Sequence, residues 1–157
     1  MNTFSQLAPA SLWSCTARSS KLPKAIHDQE ITYLFFGNDN KLWRITAISS
    51  SFENDPYGNG AKSRYDELVG ILSEKYGRGT SVHQFGDDFY KRPDNFVYGI
   101  QQGQTAWFTN FANPDLFIQL GLLAEGQSTL RWRVIYENKV LKKAFDQDQK
   151  SREKGSL

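Results

Sequence analysis

The most restrictive feature of this chain is a two-residue period in its second half. Across residues 129–137, Leu130, Trp132, Val134 and Tyr136 fall on one side, and Arg131, Arg133 and Glu137 fall on the other. Successive side chains of a strand point to opposite faces, so the run predicts a strand of a sheet with one buried face. Three further runs, at 96–101, 105–111 and 116–122, also read as strands. The turn formers Gln102-Gly103-Gln104, Asn113-Pro114-Asp115 and Glu125-Gly126-Gln127-Ser128 separate them. Links this short suit consecutive antiparallel hairpins.

The first half supplies a hairpin and a helix. Residues 31–36 (Ile-Thr-Tyr-Leu-Phe-Phe) and 41–49 are β-type runs around Gly37-Asn38-Asp39-Asn40, a turn sequence. In the second run Trp43, Ile45 and Ala47 share a face, opposite Leu42, Arg44, Thr46 and Ile48. A loop at 51–61 leads to an apolar stripe at helical spacing: Tyr65, Leu68, Val69, Leu72 and Tyr76. Ser63 reads as its N-cap, with Asp66 as the reciprocal partner, and Gly77 as its stop. Residues 82–85 read as a short strand, with Gly86-Asp87-Asp88 and Arg92-Pro93-Asp94-Asn95 as turns. Asn138 is placed to cap a last helix with the stripe Val140, Leu141, Ala144 and Phe145. The polar residues 146–157 are expected to fray from it as a tail. Residues 1–30 read as an irregular arm, with one short helix near residues 4–12 and Trp13 anchoring it to the body.

The expected fold is therefore α+β. It comprises an antiparallel sheet of about five to seven strands, one central helix packed on it and a C-terminal helix, with residues 31–145 as a single domain. The length of 157 residues suits one domain, and 14% aromatic content argues for a folded body.

Three runs carry a resemblance. They are Tyr33-Leu-Phe-Phe with Asn40-Lys-Leu-Trp-Arg-Ile, then Tyr65-Asp-Glu-Leu through Leu72-Ser-Glu-Lys-Tyr-Gly77, and Val134-Ile-Tyr136 leading into a Lys-rich helix. In this the chain resembles small uncharacterised bacterial proteins of unknown function. In those, a hairpin precedes a helix ending in Glu-Lys-Tyr-Gly, and further strands and a polar C-terminal helix follow. The resemblance covers roughly residues 31–157. It implies a fold and brings no catalytic residues. Many such proteins look exported.

Charge and motif content exclude several chemistries. The net charge is +2. The segment 138–157 holds six basic and three acidic residues, which leaves the body at −1. A nucleic-acid partner is therefore not expected. The single cysteine, Cys15, cannot form an intramolecular disulfide. No apolar run approaches the ~18 residues of a membrane span. Residues 1–15 lack the charged start and apolar stretch of a secretory signal. That favours the cytoplasm, or the periplasm if a leader has been removed. Leu12-Trp13-Ser14-Cys15 fits a lipoprotein box poorly, because Trp stands where a small residue is wanted. His27 and His83 are the only histidines, and neither lies in a metal-ligand spacing. Tyr57-Gly58-Asn59-Gly60-Ala61-Lys62-Ser63 brings Gly, Lys and Ser together before a helix. However, Ala61 stands where a phosphate-binding loop needs glycine. No cofactor and no metal are expected.

The aromatic surplus is what remains. Two short helices cannot cover both faces of the expected sheet. Either the N-terminal arm covers the second face, or aromatics are exposed there as a partner surface. Trp107, with Arg44, Arg131 and Arg133, is the candidate binding set for such a face. The expected role is a non-enzymatic domain that contacts protein or peptide through a sheet face or edge. The rival is an enzyme or small-molecule-binding protein whose pocket gathers His83, Asp87, Asp88 and Trp107.

Overall fold

The computed structural model describes residues 5–6, 15–19, 26–37 and 39–155. The strands are β1 (Ser5–Gln6), β2 (Cys15–Ser19), β3 (Gln29–Phe36), β4 (Leu42–Ser49), β5 (Thr80–Phe85), β6 (Thr105–Ala112), β7 (Leu116–Ala124) and β8 (Leu130–Asn138). The helices are α1 (Asn59–Tyr76), α2 (Asp88–Lys91), α3 (Phe96–Gln101) and α4 (Lys139–Gly155), with a 3-10 turn at Pro93–Asn95 between α2 and α3. The strands form one sheet in the order β1-β2-β3-β4-β8-β7-β6-β5, every neighbouring pair antiparallel. The fold is α+β. The hairpin β3–β4 and the meander β5–β8 are separate in sequence, and the pairing of β4 with β8 joins them.

The alternation in β8 is observed. Leu130, Trp132 and Val134 are almost wholly buried, and they pack with Ala47 of β4, Leu120 and Leu122 of β7 and Phe111 of β6. Helix α1 lies on this face against β6, β7 and β8, burying Ala61, Tyr65, Leu68 and Leu72. Helix α4 covers the β4 end, where Phe145 stacks on Trp43 with ring centroids 4.9 Å apart. Among the described residues no helix is long and apolar enough to cross a membrane.

Four local expectations change. Helix α1 starts at Asn59, not after Ser63, because Asp55 caps it from the loop. Its carboxylate accepts the N–H groups of Asn59 (2.8 Å), Gly60 (2.8 Å) and Ala61 (3.3 Å). Gly58 makes that entry feasible. Its φ is +68°, and a Cβ there would lie 2.8 Å from the Phe96 ring. The run 96–101 is helix α3, not a strand. Six apolar-rich residues fit either period, and Pro93 starts a 3-10 turn that feeds a helix. Phe96, Val97 and Gly99 are buried there.

The third change is in residues 1–30. Cys15–Ser19 is a strand paired along β3, from Cys15 opposite Phe36 to Ser19 opposite Thr32, and Ser5–Gln6 pairs with it. A strand can gain its order from its neighbours' main chains, so it needs no side-chain period. The expected helix at residues 4–12 and the Trp13 anchor fall almost entirely outside the described residues, apart from the strand at Ser5–Gln6. The fourth change is that α4 continues past Phe145 to Gly155. The pairs Lys142–Asp146 (2.7 Å) and Asp148–Arg152 (3.1 Å), each four residues apart, support the polar part. Asn138 caps this helix as expected, its Oδ1 accepting from Leu141 N at 2.9 Å.

Candidate functional site

The helices lie on one face of the sheet, and the strand register fixes what stands on the other, open face, whose central Thr46 and Ile135 are nonetheless buried. One row across the strands reads Tyr33, Thr46, Ile135, Gln119 and Asn110. The next reads Ile31, Ile48, Arg133, Gly121, Phe108 and Val82. Gln119 Nε2 donates to Asn110 Oδ1 at 2.9 Å. Pairing between β6 and β7 stops at Phe108 opposite Gly121, although both strands run on to Thr105 and Ala124. The strands therefore part beyond that point. A cavity of about 470 Å³ opens there, lined by Ile100 and Gln101 of α3 as well as by open-face residues. It extends over Phe108, Gly121, Leu123, Arg131 and Arg133 to Ile48, Ile31 and Tyr33, so strands β3, β4, β6, β7 and β8 all contribute.

Arg44, Arg131 and Arg133 all stand on this face, as their register in β4 and β8 requires. Their surroundings differ. Arg44 Nη1 is 3.6 Å from Glu137 and its Nε donates to Thr46 Oγ1 at 3.2 Å. Arg131 is more tightly held. Its Nη1 donates to Glu30 (2.5 Å) and to the Ser49 carbonyl (2.6 Å). Its Nε is 2.7 Å from Glu125, an ion pair by distance whose N–H is not aimed at the carboxylate. Burial would lower the Arg131 pKa, but Glu125 and Glu30 outweigh it and raise it. Arg133 is half-buried, and its Nε is buried without a hydrogen-bond acceptor. Desolvation, with repulsion from Arg44, holds its pKa below the ordinary arginine value.

Trp107 does not belong to this set. Its register in β6 turns its ring to the helical side, where it stacks on His83 (centroids 3.7 Å apart, planes 4° apart) and meets the Phe96 ring edge-on at 5.1 Å. Trp107 nevertheless lines the cavity together with Arg131 and Arg133, its carbonyl lying beside Gly121, and Arg44 is not among the lining residues. On the open face the aromatic neighbour of the arginines is Phe108. This corrects the expected grouping. Period two separates 107 from 108, and the strand order decides which of them shares a face with Arg133.

Of the rival set, His83 and Trp107 are in contact, and Asp87 and Asp88 bond within their own turn. His83 faces Trp107 and Tyr65, with Tyr65 Oη 3.4 Å from its Nε2. Tyr65 Oη also lies 2.5 Å from Thr109 Oγ1, which is 2.8 Å from Ser81 Oγ. Partial burial lowers the His83 pKa, against the pull of Asp66. Asp87 caps α2 by accepting from Phe89 N at 2.9 Å, and Asp88 pairs with Lys91 at 2.6 Å. Both carboxylates are committed to their own turn. Among the described residues no group of three His, Cys, Asp or Glu side chains comes together to hold a metal. Cover of the open face by the N-terminal arm falls largely on residues outside the described set.

Gly121, Phe108, Ile31 and Ile48 complete the cavity, and none of them stands out as a site residue in sequence. Only Gly121 carries a signal, being an isolated glycine inside an apolar strand run, which marks a close approach or a gap. No known family model matches the chain, and no curated protein or solved structure is significantly similar to it.

Proposed function

We propose that this protein is a non-enzymatic binding domain that contacts a protein or peptide through the open face of its sheet. The observation that carries the reading is the cavity on that face. It combines aromatic and aliphatic side chains with an arginine left without an ion pair, beside a place where strand pairing has ended. Interfaces favour such combinations of aromatic groups and arginine. The main chain of β7 beyond Gly121 also presents an edge not paired with β6, which an extended segment could join. The volume lies within the roughly 300–1,000 Å³ usual for ligand pockets. A small-molecule carrier is therefore the second reading of the same site. No pair of groups with separated acid and base roles lines this cavity, and no reaction is assigned to it.

A displayed library of random peptides, selected on the whole protein, tests the reading. Selected peptides should bind a Tyr33→Ala variant at least about tenfold more weakly, as expected for loss of an aromatic anchor. They should bind a His83→Ala variant, altered on the helical side, unchanged. Peptides sensitive to His83→Ala and indifferent to Tyr33→Ala would refute it.

A further inference from the structure

Charge accounting on the open face isolates one half-buried group. Arg44 has Glu137, and Arg131 has Glu30 and Glu125. Arg133 has no ion pair among the described residues, and its buried Nε–H lacks an acceptor. Residues 1–4, 7–14, 20–25, 38 and 156–157, outside the described set, contain no Asp or Glu. No side-chain carboxylate from those segments can neutralise it. A half-buried guanidinium without a counter-charge is unfavourable. A ligand that supplies the missing charge would relieve that cost.

The neighbours limit what kind of anion fits. Gly121 stands directly between Phe108 and Arg133 in the register, so the sheet presents no side chain there. A Cβ on Gly121 would already press on Phe108 Cβ at 3.2 Å. The result is a slot with an aromatic ring on one flank and a guanidinium on the other, two strand spacings or roughly 10 Å apart. Ile31, Ile48 and Leu123 line the same cavity as Gln119 and Glu125, so its walls are mixed, with aliphatic side chains available to an apolar body. Arg44 and Arg131 are balanced by Glu137, Glu30 and Glu125, and Arg18, opposite Tyr33, is exposed to solvent, so among the described residues Arg133 is the one cation within the cavity left open. A dianion would find one open cation and leave its second charge unpaired, with the Glu125 carboxylate lining the same cavity. A single carboxylate on an apolar body would find both halves of its chemistry met. Its two oxygens match the donor fork of arginine.

We infer that Arg133 is the anchor of a binding site for a carboxylate carried on an apolar or aromatic body, seated over Gly121 between Phe108 and Arg133. The inference rests on the open face being the binding surface. Two sources share this chemistry, a free organic acid and the carboxyl end of a peptide.

NMR titration of the full chain decides it. The probes are N-acetyl-phenylalanine, its neutral amide, phenyl phosphate, and a pentapeptide ending in Phe with a free or amidated terminus. The two free carboxylates should shift the Gly121 and Phe108 amides and the Arg133 Nε–H. Their amides should bind roughly 10–100-fold more weakly, the loss expected for a charged hydrogen bond. Whichever free carboxylate binds tighter identifies the source. Arg133→Met should abolish the shifts, with Tm unchanged or raised by about 2–4 °C, because it removes an unpaired charge and keeps the stem. Arg133→Lys should retain weaker binding, and the comparison of acid with amide on the wild type stands even if Arg133→Met fails to fold. Equal shifts from acid and amide on the open face, or tighter binding of phenyl phosphate, would overturn the anchor while leaving the face as a ligand surface. No shift of any open-face amide by any probe would remove both.

Discussion

Arg64 and Trp132 both reach for Asp28. Arg64 donates to its two oxygens at 3.0 and 2.9 Å, and the Trp132 indole N–H donates at 2.8 Å. A residue in the turn before β3 thereby ties helix α1 to the centre of β8. Burial by itself would raise the Asp28 pKa. The hydrogen bonds from Arg64 and Trp132 outweigh it and hold the pKa below the usual 3.8. Because the folded value is depressed, the stabilisation is present above the unfolded pKa and is lost as pH falls through the folded one. Asp28→Asn should therefore cost about 2–4 kcal/mol at pH 7. The difference from wild type should shrink below about pH 4, as denaturant unfolding at pH 7 and pH 3 would show. The opposite sign applies to Tyr136, whose hydroxyl is pushed up to about 12 by burial and by its neighbour Tyr76. It contributes full stability below pH 10, and that contribution fades as pH rises from 10 through about 12. Burial also raises the Tyr65 hydroxyl, so ultraviolet titration should show late-ionising tyrosines that titrate as the protein unfolds in alkali, and Tyr136→Phe should lower their number by one.

At the scale of elements, helix starts and edge strands separate what local pattern fixes from what it leaves open. The stripe of α1 is legible because Tyr65, Leu68 and Leu72 repeat at helical spacing, whatever lies outside the helix. Its start is not legible, since Asp55 reaches the first turn from four to six residues upstream, across Pro56 and Gly58. Asp55→Ala should cost about 0.5–2 kcal/mol. Ser63→Ala should cost little, because Ser63 lies exposed within the helix rather than at its cap. Thermal unfolding of the two variants would rank them, and the reverse order would contradict the assigned cap. Helix α3 was open to misreading for a related reason. Six residues are fewer than two helical turns, too few to distinguish periods, and its burial against β6 and β7 is a property of the neighbours. Strand β2 shows the same dependence, since its order rests on pairing with β3.

For the whole molecule, the decisive event is the pairing of β4 with β8, which joins two halves distant in sequence into one sheet. It brings Arg44 beside Glu137 and Arg131 beside Glu30, the latter pair 101 residues apart. It also places Gly121 and Phe108 next to Arg133. Sequence by itself determined the two-faced character of β4 and β8, the hairpin, the stripe of α1 and the place of Arg131 and Arg133 together on the polar face of β8. Each of these depends on a period of two or 3.6 residues, set by backbone geometry over a single segment. Only the tertiary structure decided which face the helices cover, that Trp107 lies opposite the arginines, and that Arg131 is neutralised while Arg133 is not. Those outcomes depend on strand order and on partners many residues away, and no local period encodes the identity of a distant neighbour.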